Sequence, residues 1–85
     1  MNYTVVWRRE AEDQFTVLWI RSVNKNAMTG YMDQIDRILG RDPHDQGESR
    51  NENTRLAFFR PLVVRYQIDE TAKTVYVVSV KWVGS

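Results

Sequence analysis

At 85 residues, 42% hydrophobic and 27% charged, with no cysteine, the chain has the composition of one small folded domain over residues 1–85, and it excludes disulfide scaffolds and thiolate metal sites. The formal charge of +1 hides an asymmetry: residues 1–49 hold six basic and eight acidic groups, while residues 50–85 hold six basic and three acidic, so the second part is net positive and invites an anionic partner. "MNYTVVWRRE" carries no export signal and the longest apolar stretch, "FTVLWI", is far too short for a membrane span, so the cytoplasm is the expected compartment.

In chain order, residues 3–7, "YTVVW", are β-branched and aromatic and read as an opening strand. From Arg9 the period changes. Ala11, Phe15, Leu18 and Ser22 recur at helical spacing, Trp19 widens the stripe, and Glu10, Glu12 and Asp13 stand where a helix dipole favours acids. After a break at "SVNKN", a second helical stripe runs through Met28, Tyr31, Ile35 and Ile38 with Leu39 beside it, and Gly40 suits a helix stop before Pro43. So short a break predicts a helical hairpin.

Residues 40–53 are polar and aperiodic and read as a loop. Three strand-like runs follow at 54–60, 62–69 and 74–83, with Pro61 in the first turn and "ETAK" in the second. In the middle run Leu62, Val64, Tyr66 and Ile68 form an oily face opposite Val63, Arg65 and Gln67. In the last run Tyr76, Val78, Val80 and Trp82 read as the oilier face against Val75, Val77, Ser79 and Lys81. The order β-α-α-β-β-β predicts an α+β fold with the hairpin covering one face of a small antiparallel-rich sheet. The other face is left for water or for a partner.

Three segments in order, "LWIRSVNKNAMTGYMDQIDRIL", "DPHDQGESR" and "RPLVVRYQIDETAKTVYVVSVKW", fall where the RelE/ParE toxin superfamily has its helical hairpin, its Pro…Gly loop and its three-stranded meander. The chain resembles that superfamily of bacterial toxin–antitoxin systems, often labelled plasmid-stabilisation proteins. The resemblance implies a small basic toxin neutralised by a cognate antitoxin, acting either as a ribosome-dependent mRNA endonuclease or, like ParE, as an inhibitor of DNA gyrase. No cofactor, no metal and no membrane partner is expected. Nuclease members similar to this chain carry Lys and Arg on the second and third strands and Arg, Tyr or His beyond the last one. Here Val63 and Val64 precede Arg65, and only Gly84 and Ser85 follow the last strand, so the catalytic residues are unassigned and a degenerate toxin that keeps only antitoxin binding is the alternative.

Arg50, Arg55, Arg60 and Arg65 recur every five residues, and arginine's fork suits phosphate, so a row on one face would suit an RNA backbone or an acidic antitoxin segment. A spacing of five alternates sides of a continuous strand, however, which makes Arg65 with Lys81 the better pair. His44, the single histidine, could be a general base or a ligand, but with no second imidazole or thiol near it in sequence it reads as plain surface. Asp33 and Asp36 fall off the apolar stripe and read as solvated. Trp19 and Trp82 could anchor an antitoxin helix, though in so small a domain core packing is the expected use. Tyr66 reads as core.

Overall fold

The computed structural model describes residues 2–46, 48–49 and 54–84. Among them the elements are β1 (Thr4–Trp7), α1 (Arg9–Arg21), α2 (Lys25–Arg41), a 3-10 turn (Pro43–Asp45), β2 (Glu48–Ser49), β3 (Thr54–Phe59), β4 (Leu62–Asp69) and β5 (Thr74–Trp82). The five strands form one sheet in the order β1-β5-β4-β3-β2, with β1 parallel to β5 and every other pair antiparallel. The α+β prediction and the element order hold. The 40–53 loop differs: it contains the 3-10 turn and the two-residue edge strand β2, both too short to leave a period in the sequence.

Helix α1 begins with Glu10 and Glu12 in its first turn, where the macrodipole favours acids. Its end is closed by Lys25, whose Nζ donates to the carbonyls of Trp19, Ile20 and Ser22 at 2.9, 3.3 and 3.1 Å. Helix α2 starts at an Asn24 cap, the Oδ1 of which accepts from the Ala27 N–H at 3.0 Å. Gly40 is not the helix stop. The helix runs on to Arg41, and the Gly40 carbonyl instead ties it to the chain just ahead of β1, accepting from Tyr3 N at 2.7 Å.

The helices bury Ala11, Phe15, Met28, Ile35 and Leu39 against one face of the sheet. That face is Ala57 and Phe59 from β3, Leu62, Val64 and Tyr66 from β4, and Val75, Val77 and Val80 from β5. Trp7 joins three elements, with its ring edge-on to Phe15 at 5.6 Å and its Nε1 donating to Asp36 Oδ1 at 2.7 Å. Asp36 therefore has a structural partner rather than water alone.

The expected face of β5 is corrected over half its length. Val75 and Val77 lie opposite Ile68 and Tyr66 and are buried; a bulge at Val78 then shifts the register so that Ser79 faces Arg65 and Val80 faces Val64. One extra residue reverses the alternation, and a valine-rich strand carries no mark of where that happens. Strand β1 pairs only as far as Val77, and beyond it the Val80 N–H is taken by Gln14 Oε1 of α1 at 2.8 Å. Trp19 and Trp82 are not core: they are 37% and 54% exposed. No helix among the described residues is long and apolar enough to cross a membrane.

Candidate functional site

Residues paired across a ladder share a face, so the register fixes what the uncovered side of the sheet displays. Arg65 pairs with Leu56 on one side and Ser79 on the other, while Lys81 pairs with Val63. Arg65 and Lys81 are thus diagonal neighbours on the face turned away from the helices, and both are exposed. Among the described residues Arg65 has no carboxylate partner. The same face carries Phe58, 56% exposed, with the Arg60 guanidinium 5.5 Å from its ring centroid, and Tyr76, with the Arg8 guanidinium 4.4 Å from its centroid. Each of these rings carries a cation on its face, an arrangement that also suits base stacking.

The expected arginine row divides. Arg65 and Lys81 come together as anticipated, and Arg60 reaches the same face from the β3–β4 turn. Arg55 does not: it pairs with Tyr66, on the helix side of the sheet, and its Nε donates to Gln46 O at 3.0 Å. The physical reason is the odd spacing of five along a strand that continues without a bulge from Thr54 to Phe59. Arg50 lies outside the described residues.

A second polar group was not legible in the sequence. Tyr66, fully buried, places its hydroxyl 2.7 Å from Pro43 O and 2.8 Å from Gln46 O, which pins the 3-10 turn against β4. Burial pushes this hydroxyl's pKa up, against the pull of the nearby Arg55 guanidinium. The pinned turn holds His44 Nε2 2.7 Å from Glu70 Oε1, at the start of the β4–β5 turn. Tyr3 Oη donates to the two Glu70 oxygens at 3.0 and 3.1 Å, and Lys73 pairs with the same carboxylate from a left-handed backbone position at φ 50°. Lys73, His44 and Tyr3 together hold the Glu70 carboxyl down at about 2, well below the usual carboxylate range. His44 lies at the surface as expected, but with a carboxylate partner there. Its partner stands 26 residues downstream, a separation no local motif reveals.

Beside this cluster opens a polar cleft of about 560 Å3, lined in part by Arg8, His44, Arg55, Gln67, Glu70 and Tyr76. A second, apolar cleft of about 450 Å3 lies between Leu18, Val23 and Trp82, with Arg21 on its rim. Among the described residues no group of three histidine, aspartate or glutamate side chains could hold a metal ion.

No protein-family model matches the sequence, and no curated protein matches it. Solved structures do. A chain of the RelBE2 toxin–antitoxin complex from Mycobacterium tuberculosis superposes with a TM-score of 0.81 at 19% identity, over 96% of this chain and 92% of that one. The fold is that of the RelE/ParE toxins. The chromosomal ParDE system of P. aeruginosa matches at a TM-score of 0.71 and 13% identity, over 95% of this chain and 96% of that one. The isolated E. coli RelE toxin matches at 0.69 and 14%, over 98% and 86%. The chain thus shares its architecture with proteins of both kinds, at identities that speak to fold alone.

Proposed function

We propose that this chain is the toxin half of a type II toxin–antitoxin pair, RelE-like, and that it meets ribosome-bound mRNA on the open sheet face. The observation that carries this reading is the placement of Arg65 and Lys81 side by side on the face the helices leave uncovered, flanked by the Arg60–Phe58 and Arg8–Tyr76 stacks. Cations bind the phosphate backbone without regard to sequence, and the ring faces accept splayed bases. The test is growth after induction in cells without an antitoxin: the parent arrests growth, and Arg65→Ala, with its fold intact, arrests it less.

The cognate antitoxin is expected to bind through an acidic, partly apolar segment that orders on contact. The apolar cleft at Leu18, Val23 and Trp82 suits its hydrophobic anchors, and Arg21 on the rim suits its acids. One observation favours a second reading, a ParE-like gyrase inhibitor or a binding-only relic. Val63 stands opposite Lys81, and among the described residues the carboxylates on this side of the sheet, Glu48 and Asp69, sit on the edge strand and at the end of β4, so the centre of the face presents cations without a carboxylate to take a proton.

A further inference from the structure

We propose that the outer face of α1 is a self-association surface, on which a second copy of this chain packs its own α1 antiparallel to the first. The inference goes beyond the toxin reading and does not depend on it.

Among the described residues eight large apolar side chains are exposed, and four of them, Val17, Trp19, Ile20 and Val23, fall within residues 17–23. The Lys25 ammonium covers the Trp19 ring from 4.6 Å, whereas Val17 is 46% exposed, Ile20 65% and Val23 completely. Ala11, Phe15 and Leu18 turn the opposite side of the helix to the core. Glu10, Asp13, Val17, Ile20 and Arg21 follow one another at steps of three, four, three and one, which places them on a single outer stripe. Glu10, Asp13 and Arg21 are exposed, and none of them makes a side-chain hydrogen bond or ion pair within the chain. Asp13 and Arg21 stand about 12 Å apart along the helix axis, too far to pair with each other.

The stripe is acidic at its start, apolar in the middle and basic at its end. An acidic segment laid along it would meet Glu10 and Asp13, and a basic one would meet Arg21. A copy of the same helix, turned end for end, meets opposite charges at both ends. A two-fold axis between Val17 and Ile20 sets Val17 on the partner's Ile20 and brings Asp13 within reach of the partner's Arg21, and by symmetry each contact occurs twice. With a formal charge of +1 the chain repels its own copies little. The stripe looks away from the sheet, so pairing leaves Arg65 and Lys81 open in both copies. Two 13-residue helices side by side cover less than the about 1,200 Å2 below which complexes are weak and transient, so the dimer dissociates on dilution.

Sedimentation equilibrium of the purified chain tests this between about 10 μM and about 1 mM, the range in which weak complexes dissociate. The parent should move from monomer toward dimer across that range, and less so as salt rises. Ile20→Asp puts an unpaired charge at the centre of the contact and should leave only monomer, with the melting temperature little changed because the position is exposed. Asp13→Arg and Arg21→Asp should each weaken association too. An equimolar mixture of these two variants should associate again, since every charged contact across the mixed pair then joins opposite signs. A parent that stays monomeric up to about 1 mM, an Ile20→Asp variant that associates as the parent does, or a mixture no more associated than its two components would overturn the proposal.

Discussion

Arg65 is exposed on a strand whose other side is fully committed to the core, so its side chain is free to serve something outside the molecule. Replacing it with alanine should move stability by less than about 0.5 kcal/mol, as surface changes usually do, which a denaturant titration checks. Period-two alternation around Leu62, Val64 and Tyr66 made this placement legible from the sequence. The placement of Arg55 was legible only as a conflict between a row of arginines and an odd spacing, which the unbroken strand decides. Nothing local announced Glu70. Its carboxyl is pulled from an ordinary 4.5 to about 2 by Lys73, His44 and Tyr3. A depressed carboxylate pKa stabilises the fold above the unfolded value, and that contribution disappears as pH falls through the folded one. Wild type should therefore lose its melting-temperature advantage over Glu70→Gln between about pH 4.5 and about pH 2. The group is exposed, so the advantage is small. A difference that does not change across that window would show the cluster to be inert.

At the scale of elements, helix periodicity located both helices and chose their inner faces well. Ile35 is fully buried between α2 and the sheet, and Ile35→Ala should cost about 2–5 kcal/mol by chemical denaturation, a large part of a small domain's stability. Melting within error of wild type would place α2 in another register. Tyr66→Phe removes the one hydroxyl that holds the 3-10 turn to β4 through Pro43 O and Gln46 O, and should cost about 1–3 kcal/mol. It should also loosen His44 from Glu70, visible as a changed imidazole resonance in NMR. The face of β5 was misread because its bulge at Val78 exchanges inner for outer residues among side chains of nearly equal hydropathy. The tryptophans were misread because size was treated as a sign of burial, whereas Trp82 lies beside the end of α1, where the helical layer stops covering the sheet.

For the molecule as a whole, element order and an uncovered sheet face were readable because each layer follows from a hydrophobic period, while the polar cleft depends on contacts between Tyr3 ahead of β1, the 3-10 turn and the β4–β5 turn that only the folded chain brings together. The basic second part predicts an acidic partner. Antitoxin affinity should weaken as salt rises, and an affinity indifferent to ionic strength would count against that pairing. The central claim is that the open face carrying Arg65 and Lys81 makes this protein toxic. Its most direct test is growth after induction, without antitoxin, of the parent and of the Arg65→Ala, Lys81→Ala double variant at matched protein levels. The parent should stop growth and the double variant, equally folded, should let it continue; a harmless parent, or a double variant as toxic as the parent, would mean that this face is not what makes the protein toxic.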